Sequence, residues 1–162
     1  MIRPALPADI PAILAIWNPI IRDTAVTFNP VEKTLQDLAQ MLSDKAAAGH
    51  GFLVAEYLGM VVGFGLYGQF RGGAGYAHTM EHTIVLSEMA RGKGIGRALM
   101  TAVEDHARAG GAHSIFAGVS AENTLGHAFH LAMGYHEVAR LSRVGFKFGR
   151  WMDLHLMQKM LA

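Results

Sequence analysis

Apolar positions recur along the chain at two periods, and the switches between them predict an alternation of strands and helices. Ile2–Ala5 reads as a short first strand. Ile10, Ile13, Leu14 and Trp17 then follow at helical spacing, with Asp9 placed to cap their helix and Pro19 placed to interrupt it. A second stripe, Leu35, Leu38, Met41 and Leu42, has Thr34 as its cap and Asp37 three residues on, a variant capping box, and Gly49 as its stop. Phe52–Glu56 and Met60–Tyr67 read as strands joined at Leu58-Gly59, a hairpin. Thr79–Leu86 is a further strand. Arg97 to Ala109 is an amphipathic helix with Leu99, Ala102, Val103 and His106 on one face, ended by Gly110-Gly111. Ser114–Val119 is a strand, Asn123–Met133 a helix stopped by Gly134, and Tyr135–Val144 and Trp151–Met157 close the chain as strands. In the last of these Met152, Leu154 and Leu156 alternate with Asp153 and His155.

The resulting order, β-α-α-β-β-β-α-β-α-β-β, predicts a mixed α/β (α+β) domain with antiparallel hairpins and one strand–helix–strand crossover at its centre. A length of 162 residues suits a single domain, residues 1–162, with no internal repeat or linker.

Composition narrows the function classes. Hydrophobic residues make up 51% of the chain, too many for a disordered segment. A net charge of +1 lacks the basic footprint of a nucleic-acid binder. The absence of cysteine excludes disulfides, thiolate metal sites and a cysteine nucleophile. No charged-then-apolar leader opens the sequence and no apolar run has membrane-spanning length, so a cytoplasmic protein without membrane contact is expected.

The sharpest chemical feature is Arg91-Gly92-Lys93-Gly94-Ile95-Gly96-Arg97, between a strand and a helix. Alternate glycines clear side chains from the backbone, and the helix that follows directs free N–H groups and its positive dipole end at the same spot. With Arg91, Lys93 and Arg97 this makes a cradle for a pyrophosphate. The spacing is G-x-G-x-G, with Arg97 where a dinucleotide fingerprint needs glycine. Gly94 stands where a Walker loop needs serine or threonine after its lysine.

On these residues the chain resembles the GNAT superfamily of acetyltransferases, whose Gln/Arg-x-x-Gly-x-Gly/Ala signature is met by Arg91, Gly94 and Gly96. The pattern Asn-x6-Tyr/His-x3-Gly-aromatic is met by Asn123, His130, Gly134 and Tyr135. Within that superfamily the stretch Gly75-Tyr76-Ala77-His78-Thr79-Met80-Glu81-His82-Thr83 is similar to the phosphinothricin and methionine sulfoximine acetyltransferase branch. So are Val144–Leu154 near the C-terminus, the opening Ile2-Arg3-Pro4-Ala5, and Ile16-Trp17-Asn18. Three departures stand out: Val85 where the branch has tyrosine, Gly126 where it has serine, and Leu86–Ala90 without the His-Pro-acidic pattern.

The resemblance implies a mostly antiparallel central sheet flanked by helices, acetyl-CoA as co-substrate, a small amino-acid-like amine as acceptor, direct attack of that amine on the thioester, and a homodimer. It assigns the cofactor to Arg91, Gly92, Lys93, Gly94, Ile95, Gly96 and Arg97, to Asn123 along the pantetheine arm, and to the splayed backbone of Ile84, Val85 and Leu86. It implies a catalytic carboxylate at Glu81 and an acid or base at His130, whose imidazole titrates near 6.5 when unperturbed. The substrate side is expected to comprise Arg71, Gly72, Gly73, Tyr76, Glu81, His82 and Thr83, with the Arg71 fork suited to a carboxylate or phosphinate. Lys147, Arg150 and Trp151 shape either the site or a dimer contact.

His78-Thr79-Met80-Glu81-His82 also fits the H-x-x-E-H pattern of inverted zinc proteases. That pattern needs a helix to bring both histidines to one face. Thr79, Thr83, Ile84 and Val85 favour a strand, so no catalytic metal is expected. The alternatives carried from the sequence are acetylation of a protein N-terminus or a polyamine, and a non-catalytic acetyl-CoA sensor that needs neither Glu81 nor His130.

Overall fold

A computed structural model describes residues 1–162. Its apolar positions are buried on the two faces of one seven-stranded sheet. The elements are β1 (Ile2–Pro4), α1 (Ile10–Asp23), α2 (Leu35–Ala48), β2 (Phe52–Tyr57), β3 (Met60–Gln69), β4 (Thr79–Leu86), α3 (Ile95–Ala109), β5 (Ser114–Ser120), α4 (Thr124–Ala132), β6 (His136–Lys147) and β7 (Arg150–Met160). Strand order is β1-β2-β3-β4-β5-β7-β6, and every pairing is antiparallel except β4 with β5. The order of elements is the one the sequence predicts.

Helices α1 and α2 cover one face, where Ile13, Trp17, Ile21 and Leu38 pack on Phe52, Val54, Phe64, Leu66 and Val85. Helix α3 covers the other, with Leu99, Met100, Val103 and Ala107 against Leu53, Met80, Ile115 and Met157. Side chains of β4 divide between them by parity: Met80 joins the α3 core and Val85 the α1–α2 core.

Local chemistry sets several boundaries as expected. Thr34 and Asp37 form a reciprocal capping box, at 3.1 and 2.8 Å, and Gly49 ends α2 at φ 71°. Leu58 and Gly59 both have positive φ, 51° and 76°, the form a two-residue hairpin turn requires.

Other expectations need correction. Pro19 does not interrupt α1, which runs on to Asp23. An interior proline costs about 3 kcal/mol. Burial of Trp17 and Ile21, each worth about 1.5–3 kcal/mol, offsets it. Asp9 does not cap α1 through its side chain. Its carboxylate accepts the Leu6 N–H at 2.7 Å and holds Arg3 by a two-pronged contact at 2.8 and 2.9 Å, and the Arg3 guanidinium keeps it below the usual carboxylate range. Helix α3 starts at Ile95 rather than Arg97, because Gly94 takes the left-handed conformation, φ 73°, that turns the loop into the helix. His106 lies at the exposed edge of α3, where its Nδ1 is 2.7 Å from the Tyr67 hydroxyl. Strands β6 and β7 outlast their apolar alternation, to Lys147 and Met160, because they pair with each other along their length.

Candidate active site

Strands β4 and β5 pair only from Thr79 with Ser114 to Glu81 with Phe116, and then part. Each keeps its outer partner: β4 stays on β3 to Leu86, and β5 stays on β7 to Ser120. The fork opens a slot through the sheet, a cavity of about 190 Å³ lined by Thr83, Ile84, Val85, Ala117, Gly118, Val119, Asn123 and His130 among others. Beyond Glu81 the β5-facing edge of β4 has no strand to bond. Between Ile84 and Leu86 the backbone groups that point to that side are therefore unpaired.

The α3 face of the slot carries the glycine loop. Gly92 and Gly94 have φ of 69° and 73°, and a β-carbon on either would meet nothing within 4 Å, so both serve the turn and leave the backbone bare. Gly96 has a different role. A β-carbon there would come within 2.8 Å of Leu86, so this glycine seats α3 on β4. Ile95 to Arg97 form the first turn of a helix whose leading N–H groups are free. Arg91, Lys93 and Arg97 are exposed and pair with no carboxylate; Lys93 lies over the Tyr57 ring at 5.4 Å. The loop offers unneutralised positive charge and open N–H groups, which fits a pyrophosphate.

Asn123 caps α4 by accepting the Gly126 N–H at 2.9 Å, and it also lines the slot. His130, two turns on, is 6% exposed. Its Nδ1 lies 2.6 Å from the Gly126 carbonyl, which can only accept, so Nδ1 carries a proton. In the neutral ring Nε2 is then a bare acceptor. It lies 3.2 Å from Nε2 of His82, so His82 donates there and keeps a bare, buried Nδ1 with no partner. Burial first, and the neighbouring His130 second, hold the His82 pKa down to about 3. Burial also lowers His130. Both rings are neutral at pH 7, joined by one N–H···N hydrogen bond along the Nε2–Nε2 line.

The α1–α2 face carries Glu81. Its Oε2 lies 3.3 Å from where a β-carbon on Gly118 would sit, at the fork, and burial raises its pKa. It lines a polar cavity of about 350 Å³ with Lys45, Gln69, His82, Thr83 and Gly118. Lys45 was not legible as a site residue, since a lysine in the last turn of a helix is ordinary. The fold brings its Nζ over Gly68, 2.6 Å from a β-carbon there, and Gly68 is the cross-strand partner of Glu81. Directly opposed residues share a face, so ammonium and carboxylate flank one space without closing to an ion pair. Burial lowers the Lys45 pKa.

Arg71, Gly72, Gly73 and Tyr76 do not line the slot. The Gln69 side-chain amide donates to the carbonyls of Arg71 and Gly73, at 2.7 and 2.6 Å, and Arg71 stacks over Tyr76 at 5.9 Å. The loop closes on itself at the cavity rim. His78 binds the Gly111 carbonyl at 2.9 Å while His82 is inside against His130, so the H-x-x-E-H triplet does not converge. Lys147 shapes the site: its Nζ donates to the carbonyls of Thr24 and Thr27 at 2.6 and 2.8 Å, pinning the segment after α1 that walls the slot. Arg150 forms a two-pronged pair with Glu122 in the turn before α4. A larger groove, about 460 Å³, lies between α2 and the β1–β2 edge and holds no residue chosen from the sequence as a site residue.

The sequence profile of the acetyltransferase (GNAT) family matches residues 17–135. The chain belongs to the GNAT acetyltransferases. A methionine sulfoximine/methionine sulfone acetyltransferase of Pseudomonas aeruginosa is 35% identical over 158 residues, 97% of this chain and 92% of that one. The structure of a ribosomal-protein-alanine N-acetyltransferase from Brucella melitensis superposes with a TM-score of 0.94 at 40% identity, covering 99% of each chain. That of a phosphinothricin acetyltransferase from Sinorhizobium meliloti, solved with acetyl-CoA, superposes at 0.94 with 29% identity, covering 100% of this chain and 88% of the other. This GNAT enzyme thus has the fold of acetyl-CoA-dependent N-acetyltransferases, and its glycine loop and strand fork occur together as that co-substrate requires.

Proposed function

We propose that this enzyme moves the acetyl group of acetyl-CoA onto the α-amine of a small amino-acid-like molecule of the methionine sulfoximine or phosphinothricin type. The observation that carries the reading is the paired Glu81 and Lys45 on one face of a slot whose other face holds the glycine loop, Asn123 and the imidazole pair. A zwitterion matches that face: the carboxylate meets the Lys45 ammonium and the amine meets Glu81.

Arg91, Lys93, Arg97 and the backbone of Gly92 to Gly96 hold the pyrophosphate, and Asn123 with the open edge of Ile84–Leu86 holds the pantetheine arm. Acetyl-CoA supplies an electrophilic thioester carbon. Glu81 takes the proton of the arriving ammonium, directly or through water, and its raised pKa makes it a better base than an unperturbed carboxylate. A backbone N–H of the β4 edge faces the thioester oxygen as charge develops there. As the amide forms, the nitrogen sheds its second proton, which goes to the departing CoA thiolate through water or by way of His130, taken up and released so that both rings end neutral. Thr83, beside Glu81, and the Arg71–Tyr76 loop at the rim complete the amine side.

Release of free CoA with a panel of amines tests the reading. Methionine sulfoximine, phosphinothricin and ordinary amino acids are expected to release thiol. A peptide with alanine at its N-terminus and a polyamine are not, because neither offers Lys45 an α-carboxylate. Turnover with the peptide alone would move the assignment to protein N-terminal acetylation; the Brucella relative is named a ribosomal-protein-alanine N-acetyltransferase.

The proposal places the enzyme in the cytoplasm. No helix is long and apolar enough to cross a membrane. It also makes the enzyme a homodimer through the β6–β7 arm. There Val144, Phe146, Phe148 and Trp151 are each more than half exposed, and Phe146 and Trp151 pack edge to face at 5.0 Å. A monomer mass in sedimentation at micromolar concentration would exclude that contact.

A further inference from the structure

One turn along α4 from His130, which His127 neighbours, three side chains from three elements converge. His127 comes from α4, Glu137 from β6 and His155 from β7. Their ligand atoms all lie within 4.8 Å of one another. Nε2 of His127 is 3.2 Å from Oε1 of Glu137, and Nδ1 of His155 touches the same oxygen. That nitrogen is buried. The two rings are tilted at 55° with centroids 4.7 Å apart and do not stack. Arg140, across the strand from His155, is turned to Asp153 at 3.0 Å and does not neutralise Glu137.

We propose that His127, Glu137 and His155, beside the slot but outside its lining, form a binding site for a divalent transition metal of the zinc class. Two imidazoles and one carboxylate are a donor set that zinc accepts at about 2.0–2.2 Å per ligand, with water filling the fourth position. Magnesium and calcium prefer all-oxygen shells and are not accommodated by it. The side chains of His127 and Glu137 are 29% and 40% exposed, which gives the ion a path in. Bound metal ties α4, which carries Asn123 and His130, to the β6–β7 hairpin.

The test is titration of tag-free enzyme with Zn²⁺ by calorimetry and with Co²⁺ by visible absorption at pH 7.5. One ion per chain is expected, with the intense d–d bands of a four-coordinate Co²⁺ site and a rise in melting temperature on adding Zn²⁺. His127→Gln, on the exposed side of the cluster, is expected to weaken binding by roughly 100-fold or more while leaving the metal-free melting temperature within a few degrees; loss of even an outer-sphere partner costs about 10–100-fold. Glu137→Gln is expected to do the same, and Mg²⁺ to give no heat. Absence of stoichiometric binding at 100-fold excess Zn²⁺, or binding that both variants leave intact, overturns the site.

Discussion

His82 and His130 stack within 7° of parallel, centroids 5.1 Å apart, with their Nε2 atoms 3.2 Å from one another. One ring comes from β4 and the other from α4, and neither has a carboxylate to support a second proton. The unfolded chain binds protons at these imidazoles near pH 6.5, whereas the folded chain holds His82 down to about 3 and lowers His130. The unfolded state therefore carries more protons below that pH, so stability is full above about 6.5 and falls as acid is added, down towards 3. The slope approaches about 1.4 kcal/mol per pH unit for each imidazole. Urea unfolding between pH 8 and 5 is expected to lose stability along this slope, and His82→Gln to remove one ring's share. A variant with the same slope as the parent would mean that His82 titrates normally.

Glu81→Gln keeps shape and removes the base. The expected outcome is a fall in kcat of about 10²–10⁴-fold, the range general-base catalysis supplies, with acetyl-CoA affinity unchanged. The pH profile carries the sharper prediction. Burial raises the Glu81 pKa, so activity depending on its carboxylate rises only at a pH above the usual carboxylate range. Steady-state kinetics from pH 5 to 8 are expected to show that limb in the parent and none in the residual activity of Glu81→Gln.

Lys45 sits over Gly68, opposite Glu81, and its role separates binding from chemistry. A hydrogen bond to a charged group is worth about 1.5–3 kcal/mol, so Lys45→Met is expected to raise KM for a free amino acid by roughly 10- to 100-fold. The corresponding amino-acid amide has no carboxylate, and its KM is expected to stay within about twofold between parent and variant. Equal losses on acid and amide would show that Lys45 acts through the fold alone.

The residues that were legible in the sequence share a property: their meaning is local. Gly92 and Gly94 are required by the turn they make, Thr34 and Asp37 by each other, and Asn123 by the helix it starts. The order of strands and helices follows from such signals and from periodicity. What was not legible depends on distant pairing. Lys45 shares a cavity with Glu81 only because the end of α2 comes to lie over Gly68 of β3, and nothing near residue 45 records this. His82 lines the cavity beside Glu81, but its ring pairs with His130 of α4, a partner nothing near residue 82 records. Lys147, ambiguous in sequence, is decided by two carbonyls more than a hundred residues away. Pro19 follows the same rule: burial of Trp17 and Ile21 on the sheet overrides a local break.

The third residue of α4, Gly126, joins the local and distant levels. A β-carbon there would lie 2.3 Å from Nδ2 and 2.7 Å from Cγ of Asn123. Gly126→Ser therefore pushes Asn123 out of the position from which it caps α4 and lines the slot. Serine is a better helix former than glycine by roughly 0.5 kcal/mol, whereas loss of an asparagine cap costs about 1 kcal/mol. The net effect on stability is expected to be small, a fall of melting temperature by a few degrees at most. The effect on acetyl-CoA is expected to be larger if Asn123 holds the pantetheine arm. Loss of one hydrogen bond of about 0.5–1.5 kcal/mol corresponds to a roughly 2- to 12-fold higher Kd by calorimetry. Gly126→Ala carries the same β-carbon without a hydroxyl and is expected to match Gly126→Ser. Two variants with parental acetyl-CoA affinity would confine Asn123 to its capping role and leave the arm to the backbone of β4.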